Sequence, residues 1–233
     1  MSNSAEMTIL DHLDELRSRI IKIVIAVLIG VLAGSFFTQP VLKLLLAPVQ
    51  ETMDVVALSP TEAPAVFFKV ALVIGLVIAM PVIMYQIFRF AAPGLEPNEK
   101  RYVMIGAPAA SLCFAGGVVF ATLVILPSAL PFLQGFLAEI VKQQYSIEKY
   151  ISFVSTILLW IGLIFETPLV MYFLAKLGVV NASGYAKARR IVIVGAAALS
   201  AVITPTVDPI NMLLVMGPFL VLYEVGILLA KIA

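Results

Sequence analysis

The chain has one cysteine, Cys113, and one histidine, His12, so it can form neither an internal disulfide nor a multi-ligand Cys/His metal centre. It contains no GxxxxGK[ST] phosphate loop, no HExxH and no GxSxG. ATPase, zinc-protease and serine-hydrolase chemistry therefore lose their usual signatures, and no nucleophile–base pair suggests another enzyme. No cofactor is expected. Charge is scarce too, at 12% of residues with a net value of +1, and the few basic residues are dispersed rather than gathered on one face. That distribution excludes a nucleic-acid-binding surface. The apolar runs also lack a polar residue at every second position, which a membrane β-barrel would need for its lumen.

What is present is hydrophobicity: 62% of residues are apolar and the mean hydropathy is +1.09. Residues 23 to 42, 70 to 88, 102 to 138 and 191 to 207 contain no Asp, Glu, Lys or Arg. The stretch 150 to 175 contains only Glu166, and 209 to 230 only Glu224. Runs of this length cross bilayers as helices. The pattern predicts an all-α polytopic membrane protein of one membrane-embedded domain. Its six helices are expected at about Arg19–Phe37, Ala65–Phe88, Val103–Leu126, Tyr150–Leu177, Ile191–Thr204 and Ile210–Lys231. The first run lacks a small-x-small cleavage site, so a retained helix is expected rather than a removed signal peptide.

Orientation follows from the Lys and Arg residues. With both termini and the second and fourth loops on one side, eleven of the fifteen lie there, and Lys43, Lys69, Lys142 and Lys149 lie opposite. The positive-inside rule then places both termini in the cytoplasm, with the protein in the cell (inner or plasma) membrane.

Three places carry polar chemistry beside the bilayer. At the N-terminus, Thr8 to Asp11 has the form of a capping box, and Ile9, Leu13, Leu16 and Ile20 recur at helical spacing. This predicts an amphipathic interfacial helix over about 8–18, leading into the first span. Glu15 and Arg19 stand four apart, which on composition alone fits a routine surface ion pair worth about 0.3–0.5 kcal/mol better than it fits a binding site. The second place is the loop between the second and third helices, where Glu96 and Glu99 sit among Pro93, Gly94 and Pro97; a plain solvated loop would read the same way. Third is Glu166, a carboxylate inside an apolar run, which must be hydrated, protonated or paired and so faces the protein interior. It is either a lone polar plug or part of a functional membrane face.

The last two helices are expected to be short. Ile191–Thr204 would span about 21 Å against a hydrocarbon core of about 30 Å, which calls for bilayer thinning or cover by another subunit. Thr204 and Asn211 are the polar groups expected at such a partner-docking edge, with a turn-stabilising role equally open for Thr204. Pro40, Pro48, Pro60 and Pro64 give the first outer loop the character of an ordered cap. Gly30 and Gly34 form a GxxxG step, a spacing common by chance and given little weight.

Taken together, several motifs resemble the TatC family, the multispanning component of the twin-arginine protein translocase. They are His12-Leu13-Asp14-Glu15-Leu16-Arg17, Ala47-Pro48, Ser59-Pro60-Thr61-Glu62, Tyr85-Gln86 through Phe90 to Pro93, Glu99-Lys100-Arg101, Phe165-Glu166-Thr167-Pro168, Thr204-Pro205-Thr206 with Asp208, and Leu222-Tyr223-Glu224. They run along nearly the whole chain in the family's order and spacing. At the family's frequently polar position early in the last helix, this chain has Met212 beside Asn211.

The resemblance implies a receptor for twin-arginine signal peptides on folded cargo, driven by the proton-motive force. Its partners would be single-span TatA- and TatB-type subunits in a homo- and hetero-oligomer within the lipid bilayer. It assigns the paired arginines to Glu15 and Glu99, with Leu16 and Phe90 flanking them. A carboxylate suits this task because a guanidinium fork can be held bidentately and a lysine cannot reproduce the geometry. Pro48, Asp208 and Glu224 enter as motif residues. The rival from another class is a proton- or ion-coupled small-solute transporter using Glu166, which would favour an internal repeat that the sequence does not display.

Overall fold

The computed structural model describes residues 9–50, 55–91, 100–135, 144–204 and 209–233. Among these the chain is helical almost throughout. Helix α1 (Ile9–Ser35) leads to α2 (Thr38–Gln50), and the short strand β1 (Val55–Val56) precedes α3 (Glu62–Ala91). Next come α4 (Lys100–Phe120), a π-helical turn (Ala121–Ile125) and α5 (Leu126–Gly135). Strand β2 (Tyr145–Ser146), α6 (Ile147–Phe165), α7 (Thr167–Lys176), α8 (Ala182–Ile203) and α9 (Pro209–Ala230) complete the order.

Among the described residues, four helical stretches are long and apolar enough to cross a membrane: Glu62–Phe90, Ile105–Gly135, Ile147–Lys176 and Pro209–Ala230. The pair Leu13–Ser35 and Thr38–Val49, bent by 75°, supplies a fifth if taken as one broken span. Apolar side chains such as Ile21, Ile25, Leu28 and Leu32 remain exposed along α1, and Ile191, Val194 and Val202 along α8. Such surfaces belong in lipid rather than water.

Several expected boundaries are corrected. The amphipathic segment over 8–18 is not a separate element, because α1 runs unbroken from Ile9 to Ser35 with no proline or glycine before Gly30 to interrupt it. The third helix does not stop at Leu126, since the π turn absorbs one extra residue and the helix continues to Gly135. The fourth runs as one span from Ile147 to Lys176, with a one-residue interruption at Glu166, where Pro168 lacks the N–H that would bond back to Ile164. The last two helices are not short either: α8 and α9 have 22 residues each. Asn181 caps α8 early, its Oδ1 accepting the Gly184 N–H at 2.8 Å, so Lys187, Arg189 and Arg190 lie within the helix. Only the apolar part of α8 is short.

Helix α3 is the central post, in contact with α1, α4 and α6. Its pairing with α1 is a backbone approach. A Cβ on Gly75 would lie 2.6 Å from the Val31 nitrogen, and one on Gly34 would lie 3.0 Å from the Ala71 oxygen. Gly30 also faces Gly75. The GxxxG step given little weight above is therefore the main helix–helix seam of α1. Without water to drive helices together in lipid, close van der Waals approach is what holds such a pair.

At the end of the bundle bearing β1 and β2, the strands pair in parallel, Val55 with Tyr145 and Val56 with Ser146. Glu62 locks this cap: its buried carboxylate accepts the Ser146 hydroxyl at 3.0 Å and the Leu58 N–H at 3.3 Å. Tyr150 on α6 donates to the Leu45 carbonyl on α2 at 2.7 Å. The described part of the proline-rich first loop thus contains a helix, α2, and the strand β1.

Candidate functional site

The opposite end of the bundle gathers the start of α1, the end of α3 and the start of α4. A core of Met80, Met84, Phe88, Ala107, Ala110, Phe114 and Phe173 packs beneath it, with the Phe88 and Phe173 rings stacked 4.3 Å apart. This core fixes the last turns of α3, and so the placement of Gln86.

Glu15 projects from α1 beside that end of α3. Its Oε1 accepts from Arg19 through Nε, at 3.1 Å, and through Nη2. Arg19 reaches across to α3, where its Nη1 donates to Gln86 Oε1 at 3.2 Å. The pair is not a solvated surface contact, since Arg19 is only 8% exposed and Gln86 8%. Glu15 Oε2 is buried and has no hydrogen-bond partner. One half of the carboxylate is therefore used and the other half is an unfilled acceptor in a desolvated place, the costly state of a polar atom.

Gln86 entered the sequence reading only within the Tyr85-Gln86 motif and was given no role at the site, although a carboxamide inside the charge-free run 70 to 88 was the available signal. Leu16 is half-buried beside Glu15, and Phe90 is half-buried at the end of α3. Arg89 donates to the Tyr85 hydroxyl at 3.2 Å and lies over its ring. Glu99 and Asp208 lie outside the described residues.

Glu166 occupies the joint between α6 and α7. It is 4% exposed and has no side-chain hydrogen-bond partner; its favourable polar neighbour is the backbone of Phe114 on α4. The Glu166 carbonyl accepts from Leu169 and Val170 at 3.1 and 3.0 Å, so its backbone starts α7 while its side chain sits inside the bundle. Glu15 and Glu166 are not brought together.

Thr204 and Asn211 are brought together, lining one small pocket with Ile125, Phe153, Ile157 and Val215. They are 5% and 4% exposed, and Thr204 donates to the Ser200 carbonyl at 2.8 Å. They face an interior pocket, not the open docking edge expected of them, because α9 folds back over the end of α8. Pro48 is exposed in the last turn of α2. Glu224 on α9 holds Arg189 of α8 bidentately at 2.7 and 2.7 Å. Among the described residues no group of three or more His, Cys, Asp or Glu could hold a metal ion.

Residues 11–218 match the profile of the family described as Sec-independent protein translocase protein (TatC). The chain is 38% identical over 226 residues to the Sec-independent protein translocase protein TatC of Carboxydothermus hydrogenoformans, covering 97% of this chain and 93% of that one. It is also 38% identical over 232 residues to the corresponding protein of Aquifex aeolicus, covering 97% and 96%. A crystal structure of a twin arginine translocase receptor TatC, 38% identical, superposes with a TM-score of 0.83 over 95% of this chain and 98% of that one.

Proposed function

The chain belongs to the TatC family of Sec-independent protein translocase proteins, and on that premise we propose that it is the receptor that captures paired arginines of a signal peptide at the Glu15 end of the bundle. It is a multipass membrane protein and a component of protein transport. The observation that carries the receptor reading is the half-filled carboxylate. Glu15 is held against α3 through Arg19 and Gln86, with Oε2 buried and unsatisfied. A guanidinium arriving from a peptide would supply the missing donors, and in a desolvated site such charge-assisted bonds are strong. Glu99 would serve the second arginine, and Leu16 and Phe90 the adjoining apolar residues.

In this reading six helices span the cell membrane with both termini in the cytoplasm, α8 crossing where the bilayer thins to its short apolar part. TatA- and TatB-type subunits join the chain in a hetero-oligomer, and the proton-motive force drives cargo movement. Partner docking at Thr204 and Asn211 requires α8 and α9 to part, because both residues are covered by the chain itself. Family membership favours protein transport over ion-coupled solute transport through Glu166.

The test is crosslinking of a twin-arginine signal peptide to membranes containing the full chain, with a twin-lysine peptide as control. Capture that needs both arginines and falls at least tenfold, about 1.4 kcal/mol, in Glu15→Ala and in Glu99→Ala is the expected result. Capture indifferent to arginine and to both carboxylates would overturn the receptor reading and move attention to Glu166.

A further inference from the structure

Lys69 is a cation inside an apolar span. It lies seven residues into α3, flanked by Phe67, Phe68 and Val70, in the stretch Glu62–Phe90 that is long and apolar enough to cross the membrane. An ammonium at such a place requires a partner of opposite charge or a path to the interface. Among the described residues no carboxylate lies within ion-pair distance of it. Its neighbour is neutral: Nζ donates to Ser152 Oγ on α6 at 2.5 Å. Ser152 in turn donates to the Glu148 carbonyl at 2.6 Å, and Thr156 donates to the Ser152 carbonyl at 2.8 Å. The nearby acids are otherwise placed. Glu62 is spent on Ser146 and Leu58, and Glu148, one turn above Ser152, makes no ion pair with Lys69.

The side chain does not point into the core. Lys69 and Ser152 are half-buried, Thr156 is exposed, and Phe68 and Leu72 beside them are 66% and 45% exposed. The α3–α6 contact at Lys69 is thus open on its lipid side, with the hydroxyls of Ser152 and Thr156 one turn apart along α6. Ser152 is the sixth residue of α6, about 7.5 Å along the axis from its first. That depth is where the headgroup and glycerol region of a leaflet meets hydrocarbon, within the reach of a snorkelling lysine.

We infer that Lys69, with Ser152, forms a site for the phosphate of an anionic phospholipid at the end of the bundle bearing β1 and β2. The lipid phosphate supplies the charge that the protein leaves out, its acyl chains lie over Phe68 and Leu72, and Ser152, whose own proton goes to the Glu148 carbonyl, holds the Lys69 ammonium in place as an acceptor. The site lies at the end of the bundle away from Glu15, and nothing in it depends on the signal-peptide reading.

The experiment is native mass spectrometry of the full chain released from nanodiscs holding equal phosphatidylglycerol and phosphatidylcholine. Variants are Lys69→Met, which keeps bulk and removes charge, and Ser152→Ala. Lys149→Gln is the control, an exposed lysine at the same end. Retained phosphatidylglycerol should fall about five-fold in Lys69→Met, as one surface cation near a lipid headgroup supports, and less in Ser152→Ala. It should be unchanged in Lys149→Gln, and Lys69→Arg should restore it. Equal retention in Lys69→Met and wild type would overturn the site, as would equal retention of the two lipids by the wild-type chain. Displacement of the lipid by millimolar inorganic phosphate would reassign it to a free anion. If Lys69→Met fails to fold, Ser152→Ala and Lys69→Arg carry the comparison, and retention unchanged in Ser152→Ala with loss in Lys69→Arg refutes a phosphate site.

Discussion

Substituting Gly75 by alanine should unseat α1 and, through it, the Glu15 site some turns away. The new Cβ would lie 2.6 Å from the Val31 nitrogen and 2.8 Å from its Cα, whereas ordinary contact begins at 3.4 Å. The conflict is with backbone, so no rotamer change relieves it, and α1 must retreat by about 0.8 Å. Overpacking of this kind costs about 1–3 kcal/mol. The same retreat would stretch the Arg19 to Gln86 hydrogen bond from 3.2 Å to about 4 Å, beyond bonding range, and release Glu15 from α3. The assay is unfolding in mild detergent followed by the fluorescence of Trp160, the only tryptophan, alongside signal-peptide crosslinking. Gly116→Ala is the matched control, because a Cβ there meets nothing within 4 Å. A Gly75→Ala protein that unfolds together with the Gly116→Ala protein and crosslinks normally would refute the claim that the α1–α3 seam is set by backbone contact.

Further outcomes follow from individual contacts. Phe88→Ala should cost about 3–5 kcal/mol in an unfolding measurement, since it removes a fully packed ring stacked on Phe173. Tyr150→Phe should cost about 0.5–1.5 kcal/mol by removing the buried hydrogen bond from its hydroxyl to the Leu45 carbonyl. Ser146→Ala should loosen the β1–β2 cap by removing a donor from buried Glu62, read as faster limited proteolysis between residues 50 and 60 with α3 intact. Arg189→Gln, by contrast, should barely move the unfolding midpoint at physiological salt, because its ion pair with Glu224 is half-exposed and such pairs are weak and screened.

Most of the apolar helices were legible because the bilayer imposes a one-dimensional rule: charge-free runs of about twenty residues mark helices, whatever their packing. Their ends were less so. Asn181 could be seen as a potential cap, but that α8 would carry three basic residues within its helix depends on what the rest of the bundle covers. Pro168 was visible, yet a proline can kink a membrane helix or end it, and the break at Glu166 reflects how α6 and α7 pack against α4 and α9. Gly30 and Gly34 were visible and underweighted, since a GxxxG step is informative only when its partner, here Gly75, is known. The Glu15 and Arg19 spacing pointed to pairing; that the pair is partly buried and tied to Gln86 was beyond any local pattern.

By itself, the sequence determined the class of the protein and where most of its apolar helices lie, because composition and motif order are properties of the chain alone. Tertiary structure decided which glycines touch, that Thr204 and Asn211 face inward, and that Glu15 is left with one oxygen filled and one vacant. Those outcomes depend on which residues far apart in the chain are brought within a few ångströms, and hydrogen bonding and desolvation act only at that range.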